Sequence, residues 1–233
     1  SVHHAYQTEM NDLLLTALGL SLHEWTGENC FAVELEGHGR EDIIHTVDIS
    51  RTVGWFTSMY PFVLDMSYIS DLSYQIKMIK ESIRQIPDKG IGYGILRYMN
   101  NSLEKEDLPM IKPEISFNYL GQFGHGKSST GFQRAEMPTG SLFSPSSNRS
   151  NLIDITGSVA DDQLTLHWMY SSQQYNSATI ERLAEMYRSQ LIRCIDHCLT
   201  KEGTDLTPSD VGYNKLSIDK LTKISGKLKS IKI

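Results

Sequence analysis

The sequence predicts an α/β or α+β fold. Stretches with apolar residues at three- and four-residue spacing alternate along the chain with stretches of strict apolar and polar alternation. No internal repeat organises either kind. At 233 residues, with 39% hydrophobic and 21% charged, the chain can bury a core as one large domain or two small ones.

Taken in order, NDLLLTALGLSLHEW carries helical spacing from Leu14 to Trp25, with Asn11 or Thr8 available as N-cap. CFAVELE alternates as a strand, Phe31, Val33 and Leu35 on one face and Glu34 and Glu36 on the other. WFTSMYPFVLDM is a second extended segment that Pro61 restricts to an edge, a bulge or a strand end. Ser70 is expected to cap a helix with Leu72, Ile76, Ile79 and Ile83 on one face, ending before Pro87. A glycine-rich turn, GIGYG, precedes a short helix over Ile95 to Met99, and PEISFNYLGQF is the next strand.

Residues 121 to 150 form a Gly/Ser/Pro-rich loop of a length that tends to be functional or mobile. LIDITGSVADDQLTLHWMY reads as a hairpin around Ala160, Asp161 and Asp162. Ile180 to Leu199 is a long amphipathic helix with Ile180, Leu183, Tyr187, Leu191, Cys194 and Cys198 inward. In the tail, Leu221, Ile224, Leu228 and Ile231 repeat at helical spacing behind Ser217 as a cap.

Composition excludes several classes. No apolar run reaches the ~18 to 20 residues that span a bilayer, and SVHHAYQTEM lacks the basic start and apolar core of a signal peptide, so a cytoplasmic protein is expected. Three unevenly placed cysteines suit a reducing compartment. The net charge of -6 is asymmetric: six lysines against Asp219 from Lys215 onward leave an acidic body, which argues against nucleic-acid binding. CIDHC, on a helix, places its cysteines on the apolar stripe with His197 pointing elsewhere, the pattern of buried structural thiols. His3-His4 has no third ligand at recognisable spacing, and GIGYG lacks both the third spaced glycine of a dinucleotide loop and the ending of a P-loop. No metal or nucleotide site is expected.

EGHGRE, Glu36 to Glu41, is the segment with chemical potential. Residue chemistry by itself favours a polar turn in which glycines reverse the chain and Glu36 pairs with Arg40 at the surface. The alternative is a working carboxylate, partly desolvated at a strand end.

Five segments in order resemble the motif series of the epimerization domains of nonribosomal peptide synthetases: DLLLTALG from Asp12, EGHGRE from Glu36, RTVGWFTSMYPFVL from Arg51, PDKGIGYG from Pro87 and FNYLGQF from Phe117. TPSD, Thr207 to Asp210, resembles the end of such domains. The family belongs with condensation domains and chloramphenicol acetyltransferase-like enzymes, whose HHxxxDG motif lies in an N-terminal lobe. Here His3-His4 is followed by Thr8-Glu9 instead of Asp-Gly, so the catalytic histidine does not transfer to His4. The resemblance therefore implies a chloramphenicol acetyltransferase-like C-terminal lobe over 1–213, an α+β sandwich with a mixed β-sheet flanked by helices, and a tail over 214–233, inactive without the N-terminal lobe.

What the resemblance implies is inversion of the α-carbon of an aminoacyl or peptidyl thioester, by proton removal and return. No cofactor is expected to bind directly; the substrate arrives on the phosphopantetheine arm of a carrier protein. The first Glu of EGHGRE, Glu36, matches the family's proton-transfer carboxylate. Tyr119 is the next candidate, as proton relay or hydrogen-bond donor to an enolate oxygen, with Asn118 orienting it; alternation allows only one of the two to line the cavity, and Tyr119 is preferred. Arg40 is expected to pair with an acid and hold the loop, with His38 in a supporting place. For Trp55, Pro61 and Gly92 to Gly94 a structural role is the default, with lining of a pantetheine tunnel as the alternative. The expected partners are a peptidyl carrier protein, the N-terminal lobe and, through the basic tail, a downstream synthetase. The competing readings are a docking or scaffolding module without catalysis and a condensation-domain lobe.

Overall fold

The computed structural model describes residues 2–43, 45–99, 111–123, 137, 140, 144, 147–213 and 216–230, without the side chains of 228–230. Five strands, β1 (Cys30–Gly37), β2 (Ser58–Asp65), β3 (Ile115–Phe123), β4 (Ile153–Ala160) and β5 (Gln163–Tyr170), form one mixed sheet in the order β2-β1-β3-β4-β5. The outer pairs β1–β2 and β4–β5 are antiparallel, whereas β1–β3 and β3–β4 are parallel. The helices are α1 (Met10–Thr26), α2 (Leu72–Arg84), the single turn α3 (Ile91–Gly94), which runs on into a π-helical turn over Ile95–Met99, α4 (Ser177–Thr200) and α5 (Ile218–Ser230).

One face of the sheet is apolar. Val33, Leu35, Phe62, Leu64, Phe117, Ile153 and Ile155 are buried there, in one cluster with residues of α1, α2 and α4. Helix α1 is buried on every side, from Asp12 to Leu22, as a helix apolar all round must be. Its polar residues turn inward on themselves: Thr16 donates to the Asp12 carbonyl and Ser21 to that of Ala17. Gly19 is needed on α1 because a Cβ there would stand 2.3 Å from the sulfur of the buried Met66. The opposite face of the sheet carries Glu34, Glu36, Ser116, Asn118, Asp154 and His167, half-buried or exposed.

Local signals placed the elements more reliably than their caps. Glu9, not Asn11 or Thr8, caps α1, its backbone N–H held 2.7 Å from the Asp12 carboxylate. Asp71, not Ser70, caps α2, accepting from Tyr74 N–H at 3.0 Å. Both differences arise because a neighbouring carboxylate reaches the free N–H groups. Pro61 does lie on an edge strand, and the Asp161-Asp162 turn has φ of 51° and 59°, the left-handed pair that a two-residue hairpin requires. Cys194 and Cys198 are buried on α4, and burial pushes their thiols up to about 12 and about 11, so both stay protonated. Most of 121–150 lies outside the described residues.

In the tail, Ser217 Oγ accepts from Lys220 N–H, and Ile218 and Leu221 are buried while Ile224 is exposed. The apolar positions of α5 are thus partly spent on its own body. The Leu228 side chain and Ile231 lie outside the described residues.

TPSD closes the fold. Lys80, 1% exposed on α2, donates to Asp210 at 2.6 and 2.7 Å and to the Tyr6 carbonyl at 2.8 Å. Asp210 also accepts from Thr207 N–H, and Glu81 accepts from Ser209 Oγ. Arg84, one turn further along α2, donates to both oxygens of the buried Asp12. Lys80→Met strips the buried partner from Asp210, and is expected to cost about 3–5 kcal/mol in urea unfolding. An exposed control, Lys223→Met, should stay within about 0.5 kcal/mol.

Candidate active site

Alternation along β1 turns Val33 and Leu35 into the core and leaves Glu34 and Glu36 on the open face. The parallel register pairs Val33 with Ile115, Glu34 with Ser116 and Leu35 with Phe117. Continued by one residue, it sets Asn118 beside Glu36. The Asn118 amide donates to Glu36 Oε2 at 2.6 Å.

Tyr119 points the other way. It pairs with Gly157 on β4, packs against the hydrophobic core, and its Cδ2 lies 3.6 Å from where a Gly157 Cβ would stand. The preference for Tyr119 over Asn118 is therefore reversed. Phe117 and Tyr119 share the apolar side of β3, whereas Ser116 and Asn118 share the polar side that meets Glu34 and Glu36. That match of polar faces was available in the sequence once β1 and β3 were known to be neighbours.

The Glu36 carboxyl is raised above its ordinary range, first by partial desolvation, then by the negative charges of Glu34 and Asp154. Asp154 is ion-paired with Arg149 and accepts from Ser116 Oγ at 2.7 Å; Arg149 also donates to the Met169 carbonyl. Glu34 and Asp154 were not singled out as site residues. Strand parity alone places Glu34 on the Glu36 face, but Asp154 joins them only through the parallel pairing of β3 with β4.

The loop after Glu36 is braced differently from the expectation. Arg40 pairs with no acid among the described residues. Its guanidinium donates to the Ile49 carbonyl at 3.0 Å and the Gly54 carbonyl at 3.3 Å, and lies 4.2 Å over the Phe56 ring. It holds backbone where a carboxylate was expected. His38 Nδ1 accepts from Arg40 N–H, which leaves Nε2, 3.0 Å from Glu41, as the ring's donor. Glu41 also meets Lys89 at 3.2 Å, linking EGHGRE to PDKG. Gly39, at φ +63°, is held so close that a Cβ would fall 1.6 Å from the Phe56 carbonyl oxygen.

Pro61, Gly90, Gly92 and Tyr93 border a groove of about 430 Å³ between β2 and the end of α2, and Gly90 is needed where the Tyr60 ring passes. Trp55 is 90% exposed. His4 bonds Thr204, and among the described residues no group of His, Cys, Asp or Glu is arranged to hold a metal ion. No helix of the described residues is long and apolar enough to cross a membrane.

The condensation-domain family model matches residues 1–217. Surfactin synthase subunit 1 of Bacillus subtilis (strain 168) is 50% identical over 224 residues, which cover 96% of this chain and 6% of that protein. Tyrocidine synthase 2 of Brevibacillus parabrevis is 51% identical over 224 residues, again 96% of this chain and 6% of the relative. The chain thus spans a small part of these relatives. Among solved structures, the epimerization domain from the third module of tyrocidine synthetase B is 52% identical with a TM-score of 0.79, over 86% of this chain and 44% of that one. The condensation domain of the monacolin K polyketide synthase, 16% identical with a TM-score of 0.55, shares the fold.

Gly39→Ala is expected to free the loop rather than unfold the sheet. Trypsin should cut at Arg40 and Arg51 markedly faster than in the unaltered chain, while the urea midpoint falls by the equivalent of roughly 1–3 kcal/mol.

Proposed function

The chain belongs to the condensation-domain family, and we propose that it is the C-terminal lobe of a nonribosomal peptide synthetase epimerization domain, acting as an isomerase on a carrier-bound thioester. The observation that carries this reading is Glu36, held by Asn118 on an open sheet face, in a chain 52% identical to a solved epimerization domain. A condensation-domain lobe is less well supported, because the condensation domains it resembles in fold share 16% identity or less.

A thioester acidifies the α-hydrogen of the aminoacyl or peptidyl group, so a positioned carboxylate can remove it and an acid on the opposite face can return one. Glu36 is the base. The Asn118 amide occupies Oε2 and orients the carboxylate, leaving Oε1 to take the proton. The raised proton affinity of Glu36 makes its ionised form a stronger base. Arg40 and the His38–Glu41 contact act on the loop rather than on the substrate. Tyr119, on the helix side, takes no part in proton transfer.

The substrate comes on the phosphopantetheine arm of a peptidyl carrier protein, and the opposing acid comes from the N-terminal lobe. Exposed Lys220, Lys223 and Ile224 on α5 support the further reading that the tail receives a downstream synthetase.

The test is α-hydrogen exchange into solvent from an L-aminoacyl carrier protein, followed with the chain alone and with a supplied N-terminal lobe. The pair should exchange and the chain alone should not. Glu36→Gln is expected to lose about 100-fold or more. Asn118→Ala should lose roughly 10-fold, and Tyr119→Phe should stay within a few-fold. Equal exchange by Glu36→Gln would sink the assignment. Because the Glu36 carboxyl is raised, the rate should fall on acidification at a pH above the ordinary glutamate range, as protonation removes the base.

A further inference from the structure

Among the described residues, no hydrogen bond or ion pair reaches the inner carboxylate oxygen of Glu34. This oxygen, Oε2, is buried. On β2 the residue opposite Glu34 is Pro61, and on β3 it is Ser116, whose hydroxyl proton goes to Asp154. The cations of the surrounding elements are engaged elsewhere: Arg149 on Asp154, Lys89 on Glu41, Arg40 on carbonyls and the Phe56 ring. A buried carboxylate oxygen in this state costs stability and calls for an explanation.

The explanation lies one pleat along the strand. We propose that Glu34 is a positioning residue for Glu36: from about 7 Å away on the same face, its unpartnered carboxylate acts on the base through space instead of by contact. Glu36 itself is flanked by Met59 on β2 and Asn118 on β3, neither of which titrates. The charged groups that act on it are Glu34 on its own strand and Asp154 on β4, and Asp154 is balanced by Arg149. Glu34 is the unbalanced one. His38 and Lys89 both face Glu41, and His167 lies on β5, two strands beyond β3.

The inference rests on Glu36 being the base, so its test has one arm that does not. The Glu36 side-chain carboxyl is titrated by carbon-13 NMR in this chain, unaltered and as Glu34→Gln, Glu34→Ser and Glu34→Asp. The same variants are then carried into the α-hydrogen exchange assay with the N-terminal lobe. Both neutral variants should move the Glu36 titration and the acid limb of exchange to lower pH together, whereas Glu34→Asp should hold both near their original position. Glu34→Gln should also melt no lower than the unaltered chain, since it removes an unpaired charge. A Glu36 titration unmoved in both neutral variants, or moved equally by Glu34→Asp, overturns the proposal. If the titration moves but exchange does not depend on Glu36, the catalytic reading fails and the electrostatic coupling stands.

Discussion

The parallel pairing of β1 with β3 is the constraint on which the rest depends. These strands are neighbours in space but separated by β2, α2 and a long connection in sequence, and their register joins residue 36 to residue 118. Because side chains alternate with a period of two, a slip of one residue would turn Asn118 into the helices and bring Tyr119 out beside Glu36. The apolar residues forbid that slip. Val33, Leu35 and Phe117 must all reach the same core, and burying them fixes the polar face as a by-product. The energy that stabilises the core is thereby the energy that aligns the site.

Around Glu36, the segments that resemble family motifs form one physical unit. Gly37 stands against Ser58, and a Cβ there would also meet the Lys89 carbonyl at 3.4 Å. Gly39 lies against Phe56, and Gly90 against the ring of Tyr60. Each glycine permits a contact between two different motifs, so EGHGRE, RTVGWF and PDKG are stitched by backbone proximity. Arg40 completes the unit by binding two carbonyls of its own loop, and a guanidinium with fixed planar donors suits that task.

Local patterns carried much of the fold. The alternation of CFAVELE, the paired aspartates of the hairpin and the cysteine stripe of α4 each report an interaction closed within a few residues. What escaped was nonlocal. Choosing between Asn118 and Tyr119 required knowing which strand lies beside β1, and no spacing within FNYLG contains that. Arg40 was misassigned for a related reason: opposite charges attract attention in a sequence, whereas carbonyl acceptors are present at every residue and leave no mark. The caps failed on a finer scale, where Asp71 and Glu9 stood one or two positions from equally plausible choices.

The electrostatics of the open face bear on what this chain can do by itself. Three carboxylates, Glu34, Glu36 and Asp154, share a face on which Arg149 balances one of them. Repulsion and partial desolvation already raise Glu36, but water reaches this side of the sheet and screens both effects. A second surface laid over the face would exclude that water. Desolvation would then press harder on the ionised form, the repulsion from Glu34 would grow as the local dielectric fell, and Glu36 would become a stronger base. Under the proposed reading, the same closure would bring a group to the side of the thioester substrate opposite Glu36. In the epimerization proposed above, proton removal and proton return would therefore call for one structural event, the covering of this face.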